Sequence, residues 1–313
     1  MLDQSVRKAS VGIQSGESCA VIAMFVFARP KHTRRALEAL RNDVLARKSE
    51  LIIFSDAART ETQKELVNEV RKICAEIDGF KKKIIVERNS NYGLMRNIVG
   101  GVTQVLDERG CVIVLEDDIV VKPGFLSFMN DALNRYEKDK RVWHVSAWGY
   151  PIETAELPIT FFWRGMSCWG WGTWKDRWGK YERDPGVLLS KWPREKIKRF
   201  NLDGVHDFWA QVKANGRGRL NTWAIFWYAT IFEHDGLCLS PGVSYVENIG
   251  NDGSGENCGQ VDIFSSKQLP KAVEWPEIVV ESDEAVREIK RWYKNSRVRL
   301  VDKFKQAIVR RLC

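Results

Sequence analysis

No Gly-x-x-x-x-Gly-Lys-Ser/Thr stretch occurs in the 313 residues, and no Gly-x-Gly-x-x-Gly follows the first apolar run. The first absence argues against a phosphate-cradling P-loop; the second disfavours a dinucleotide-binding fold. No Cys-x-x-Cys pair or Cys/His zinc spacing is present. The seven cysteines (19, 74, 111, 168, 238, 258 and 313) are scattered and odd in number, and several sit in apolar runs. They read as reduced thiols in a cytosolic compartment. No apolar run approaches the roughly 20 residues that cross a bilayer. The N-terminal stretch lacks a proper signal peptide: its apolar run, 20–28, leads into a basic segment rather than a cleavage site. No internal repeat, low-complexity linker or hard domain boundary is visible.

What is present fits a soluble α/β protein. Hydrophobic residues make up 44% and charged residues 29%, enough for a large core. Residues 1–18 are polar and are expected to be poorly ordered. Residues 20–28 (AVIAMFVFA) read as a buried strand broken by Arg29-Pro30, with helical spacing over 32–43. A second strand over 49–58 ends at Ser55-Asp56. A helix over 61–77 and a third strand over 81–89 follow. Then come a loop and helix over 91–108, a fourth strand over 111–118 and a helix over 124–139. Continuous apolar strands alternating with helices predict a mainly parallel sheet covered on both faces. From about residue 143 the texture changes. Trp163, Trp169, Trp171, Trp174, Trp178 and Trp192 crowd a Gly-rich stretch, and 221–236 reads as a helix.

The stretch CVIVLEDDIVVKPGF, residues 111–125, poses the sharpest question. A buried-looking strand ends on Glu116, Asp117 and Asp118, like charges that repel each other and resist desolvation. One reading is a solvated acidic turn. The other is a hard-cation site, since carboxylate oxygens suit Mg2+ or Mn2+, which also hold substrate phosphates. Neither His nor Cys flanks the triplet to suggest zinc. In parallel sheets the ligand sits at the carboxyl ends of the strands. Arg29, Asp56, residues 89–96 and the acids all fall just past such an end. A metal-bound diphosphate without a P-loop points to a nucleotide-diphosphate donor.

Around these acids the chain resembles GT-A type glycosyltransferases, in which an acidic DxD-type motif follows a strand. The order of features is similar to that of the N-acetylglucosaminyltransferase I family. ARP precedes an Arg-rich helix, a strand ends in Ser-Asp, EDD precedes Pro and a Phe-rich helix, and WHVSAW leads to an aromatic-Gly loop. Asn91-Tyr92-Gly93-Leu94 and the NIGNDGSG of residues 248–255 are similar to blocks of bacterial transferases from surface-polysaccharide pathways. The resemblance implies a GT-A, Rossmann-like domain over 19–265. Its nucleotide-sugar half would be 19–145 and its acceptor half 146–265, followed by a C-terminal segment, 266–313, with a basic helical tail. It implies Mn2+ or Mg2+ and a nucleotide-diphosphate sugar. By the same resemblance Asp118 would be the principal metal ligand, with Glu116 in support. Glu116 and Asp117 would meet the ribose, the sugar or metal-bound water. Asp56 would meet the base, and Arg29 the base or diphosphate. Arg96, opening a helix after a strand, is either a diphosphate contact or a surface ion pair.

Inverting transfer also needs a carboxylate to take the acceptor hydroxyl's proton. In the resembled family it lies in a WDDW-like block. The matching block here, Asn221 to Trp227 (NTWAIFW), has no carboxylate. Substitutes within reach are Asp207, Glu233, Glu247, Asp252 and Glu256, of which Asp252 and Glu247 are the catalytic candidates. Asp252 lies in a Gly-rich loop that is either a closing loop or an ordinary turn. Relatives often place a metal-binding His just after this loop; here Asn257 stands there, leaving the ion to Asp118, diphosphate and water. Most of the tryptophans read as core. Trp169 and Trp171, set between glycines, are expected to line the acceptor site.

Net charge is +8, and from Val286 onward only Glu288 and Asp302 oppose many Lys and Arg. Apolar residues at 286, 289, 293, 300, 301, 304, 308 and 312 are spaced nearly as on a helix. Residues 286–312 read either as a helix on an anionic membrane surface or as one packed on the domain with a solvated basic face. No nucleic-acid module is visible. The expected function is metal-dependent transfer from a nucleotide-sugar to a glycan or lipid-linked acceptor in surface-polysaccharide synthesis. The expected location is the cytoplasm, peripheral to the inner face of the membrane. The competing readings are a nucleotidyltransferase, for which AMFVFARPKHTRRA lacks glycines, and a sugar- or nucleotide-binding protein without a base.

Overall fold

The computed structural model describes residues 19–152, 158–251 and 273–296. The expectations for 1–18, Asp252, Glu256, Asn257 and 297–312 lie outside the described residues.

The first apolar runs become β1 (Val21–Val26), β2 (Glu50–Ser55), β3 (Lys82–Glu87) and β4 (Cys111–Glu116). They lie parallel in the order β3-β2-β1-β4. Every residue of β1 is buried, because helices cover both faces of a parallel sheet. Those helices are α1 (Pro30–Arg41), α2 (Glu61–Glu76), α3 (Gly93–Arg109) and α4 (Phe125–Tyr136). Pro30 opens α1, where its missing N–H costs nothing. Thr33 fastens that turn by donating its hydroxyl to the Arg29 carbonyl at 2.9 Å.

Helix α3 lies close over β1 and β2 because of Gly101. A Cβ there would stand 2.6 Å from the Phe25 ring and 3.2 Å from Phe54. The two rings stack at 5.0 Å, so neither yields without disturbing the other. Gly101→Ala is expected to cost about 1–3 kcal/mol through overpacking. Urea denaturation reads this directly, and an unchanged midpoint would contradict the close packing.

A short β5 (Ile119–Val121) follows the acids, and β6 (Val142–Ser146) returns to the main sheet. The Trp-Gly block supplies β7 (Thr160–Trp163) and β8 (Trp171–Trp174), which residue periodicity did not reveal as strands. β8 runs antiparallel between β4 and β6. β9 (Leu237–Pro241) lies parallel to β6, and β7 closes the edge antiparallel to β9. The result is the expected α/β architecture, an eight-stranded, mostly parallel sheet. Short helices α5 (Lys175–Trp178), α6 (Pro185–Lys191), α7 (Arg194–Phe200) and α8 (Trp209–Gly216) lead to α9 (Ala224–Glu233), which is buried along most of its length. β10 (Val246–Asn248) pairs antiparallel with β5.

One buried polar residue ties the second half together. His144, on β6, accepts a hydrogen bond at Nδ1 from Trp227 Nε1 (3.2 Å). Its Nε2 faces the Ser167 carbonyl at 3.0 Å, so the proton belongs on Nε2. Burial pushes the imidazole down to about 3. An unfolded histidine titrates near 6.5, so the neutral ring's contribution is complete above that pH and is lost as pH falls towards 3. At pH 5 the loss is expected to be about 2 kcal/mol relative to pH 7. His144→Gln should flatten that part of the pH profile; an equally steep profile would count against it.

The final helix, 283–296, packs against the domain. Ala285 and Ile289 are fully buried and Val286 nearly so. Tyr293 reaches the Tyr150 hydroxyl at 3.2 Å. Just before it, Ser282 donates to the Phe162 carbonyl (2.8 Å), covering the exposed edge of β7. Arg164, nearly buried, binds Glu281 (2.6 Å) and Asp203 (2.8 Å) across this seam. The membrane reading of 286–312 is therefore corrected over its first third: residues 286, 289 and 293 are spent on the core.

Candidate active site

The acids sit where the sheet order places them, at the carboxyl end of β4 beside the carboxyl end of β1. Glu116 pairs with Phe25 in register. One step further, the Phe27 amide donates to Asp117 Oδ2 at 3.2 Å. The chain then reaches Arg29, whose guanidinium divides between two acids. One Nη group donates to Asp117 Oδ1 and the other to Asp118 Oδ2 at 3.0 Å. Asp117 and Asp118 are only 3% and 6% exposed. Burial works against the charge on Arg29, but Asp117 and Asp118 outweigh it and hold the guanidinium above its ordinary value. Burial also raises Asp117, against the pull of Arg29. Glu116 is pushed up to about 8, first by burial, then by Asp118 and Asp117.

The C-terminal NIG turn closes on the same spot. Ile119 pairs with Asn248, and the Ile249 amide donates to the Asp118 carbonyl at 2.9 Å. Gly250 follows, its amide held by Asn248 Oδ1 at 2.8 Å. A Cβ on Gly250 would lie 2.3 Å from Asp118 Oδ2. Only glycine fits there without moving the carboxylate. The EDD and NIG motifs, far apart in sequence, thus form one unit.

On the far side of β1, Asp56 serves the Asn91-Tyr92-Gly93 turn. Its Oδ1 accepts from the Ala57 (2.9 Å) and Tyr92 (2.8 Å) amides. Its Oδ2 accepts from the Gly93 amide (2.8 Å) and Asn91 Nδ2 (3.2 Å). Asp56 therefore caps α3 from a neighbouring strand, satisfying amides that a helix start leaves without partners. A carboxylate has about four lone-pair positions, and these are committed to the protein. Asp56 thus builds the turn, a role beside the contact with a base expected of it. Around it lie Arg59, which donates to Asn91 Oδ1 at 3.0 Å, and Phe27, whose ring faces Arg59 at 5.7 Å. Arg96 and Arg88 lie over the Tyr92 ring at 5.0 and 4.8 Å. Sequence reading passed over Arg59, although it follows Asp56 closely at a strand's carboxyl end.

The acceptor-side expectations divide. Trp171 has no exposed surface and stacks on Trp223 at 5.2 Å and His144 at 5.3 Å. Its placement on the acceptor wall is corrected: it is core. Trp169 is half-buried, edge-on to Trp148 at 5.1 Å, at the same end of the sheet as the acids. Of the acids in view as a base, Asp207 caps α8 through the Ala210 amide (3.1 Å), and Glu233 pairs with Lys196 (2.7 Å). Glu247 is exposed on β10, two residues before the Ile249 that bonds Asp118. The NTWAIFW block runs into the buried α9. A cleft of about 290 Å³ beside Trp192 and Thr230 lies at the opposite end of the sheet; Glu233 lines it, but neither Arg29 nor any acid of the EDD triplet does.

Over residues 2–155 the chain matches the model of the GNT-I family. It is a glycosyltransferase. The match contains the arginine, the Asp56 turn and the three acids that the fold has brought to one edge. No curated protein matches the transferase. Among solved structures, a mannosyltransferase from Pyrobaculum calidifontis, in complex with GDP-Man and Mn2+, is 12% identical, covering 69% of this chain and 70% of that one, with a TM-score of 0.36. Mouse xyloside xylosyltransferase 1 is 12% identical over 70% and 83%, with a TM-score of 0.37. A cytidylyltransferase from Leptospira borgpetersenii is 8% identical over 55% and 70%, with a TM-score of 0.34. These likenesses are loose and bear on neither substrate nor mechanism.

Proposed function

We propose that this glycosyltransferase requires Mn2+ or Mg2+, takes a nucleotide-diphosphate sugar as donor, and glycosylates a glycan or lipid-linked acceptor in surface-polysaccharide synthesis. The charge at the end of β4 carries this reading. Asp117 and Asp118 share one guanidinium and Glu116 beside them is pushed up to about 8, so ionising all three carboxylates would leave two negative charges uncompensated. A divalent cation would balance them. The donor set is all oxygen, which suits a hard ion. Among the described residues no three His, Cys, Asp or Glu side chains are gathered as a ready-made cage. The protein's share would be Asp118 with Glu116 in support, and diphosphate and water would complete the shell. Such an ion offsets charge on the leaving diphosphate.

The chain's own residues would then divide the remaining work. Asp117 holds Arg29 at the crevice, and Arg29 and Arg96 supply positive charge for the diphosphate. Asp56 holds the turn that presents Tyr92 and Arg96. Trp169 would face the acceptor. For the base, Asp252 and Glu247 remain the candidates. No described helix is long and apolar enough to cross a membrane; the basic residues of the sequence from Arg297 onward would instead favour an anionic surface.

The test is a panel of nucleotide-sugars with Mn2+, reading release of nucleoside diphosphate. Turnover with at least one donor, abolished by chelation, is expected. Saturable nucleotide binding with no turnover of any donor would point instead to a binding protein.

A further inference from the structure

We propose that Arg29 is a placeholder cation. It bridges Asp117 and Asp118 in the donor-free protein, offsetting part of their charge, and releases Asp118 only when a divalent cation arrives with a nucleoside diphosphate. This inference rests on the metal-dependent reading above.

The geometry makes a lone cation a poor competitor. Arg29 spends one Nη group on each acid, and such charge-assisted bonds are among the stronger ones in proteins. Both acids are nearly buried, so the guanidinium matters more to them than a surface partner would. An ion arriving alone must break the bond to Asp118 and then sit beside a guanidinium that has lost a partner. A diphosphate changes both conditions. Its oxygens offer the ion further ligands, and they offer the planar guanidinium fork a new bidentate partner. The Arg29 side chain retains 19% exposure, which leaves it an outward path. Asp117 need not be abandoned, since the Phe27 amide also bonds it. Ion and nucleoside diphosphate should therefore assist each other's binding, each by the same factor.

The experiment measures Mn2+ binding to the full chain from the free-ion electron paramagnetic resonance signal, with and without GDP, UDP, CDP or dTDP, corrected for Mn2+ held by free nucleotide. In the wild type, one nucleoside diphosphate should raise Mn2+ affinity by roughly tenfold or more. Without nucleotide, Arg29→Gln should bind Mn2+ roughly tenfold more tightly than the wild type, and its coupling to nucleotide should shrink by that factor. Arg29→Lys, a point charge that cannot fork between both acids, should fall between. The placeholder role is overturned if neither variant gains nucleotide-free affinity. It is equally overturned if the wild type binds Mn2+ and nucleotide independently, a result that needs no variant to fold. If the wild type binds no Mn2+ under any condition, the metal-dependent reading itself fails, and this inference with it.

Discussion

Asp118→Asn is expected to reduce transfer roughly a hundredfold or more while leaving the fold intact. The substitution keeps the shape of the side chain and removes its charge. Asp118 is nearly buried, bonded to Arg29, and one of the acids that raise Glu116. Removing one of three crowded carboxylates relieves repulsion, so the melting temperature should hold or rise slightly. Loss of function without loss of stability marks a residue retained for chemistry rather than for the fold. Steady-state turnover and a thermal melt together read the outcome. A fully active Asp118→Asn would remove Asp118 from the proposed metal site. A collapsed melt would make it structural.

Gly250→Val should produce the second-largest loss. The contact is steric: even the first side-chain carbon would lie 2.3 Å from Asp118 Oδ2, and 3.0 Å from its Cγ. The neighbouring backbone bond from Ile249 to Asp118 ties the two chains together and limits retreat. The carboxylate must therefore turn. Misplacing a reacting or ligating group by about 1 Å can cost on the order of a hundredfold in rate. Gly250→Ala should show a smaller loss in the same direction. Donor affinity, kcat and Tm, measured on both variants, separate displaced geometry from unfolding. Unchanged activity in both would mean that the turn is free to move away from Asp118.

The sheet's first half was legible because its strands are buried on both faces and read as unbroken apolar runs, with helical spacing between them. β7 and β8 were not. Each has only four residues, and aromatic side chains serve strand, helix or core equally well. What makes β8 a strand is its partners, β4 and β6, and such nonlocal pairing leaves no local period.

The site followed the same division. That Arg29, Asp56 and the EDD triplet share one edge was legible from strand order. Their contacts were not, since Arg29 meets Asp117 across 88 positions and Asp56 meets Gly93 across 37. Asp56 therefore read as a group for the ligand alone, and its capping of α3 was not visible. Trp171 looked displayed by its flanking glycines. One of them, Gly172, instead fits closely against Val112 and Met129, and Trp171 is drawn into the core.

The central claim is that the acidic end of β4 holds a cation and a diphosphate. A crystal structure with bound Mn2+ and the nucleoside diphosphate of the working donor tests it most directly. Expected is an anomalous Mn2+ peak within about 2.3 Å of an Asp118 carboxylate oxygen and of a diphosphate oxygen. Arg29 should be turned from Asp118 towards the phosphates. A nucleotide bound away from β4, or a diphosphate seated without metal while Arg29 keeps both acids, would contradict the account.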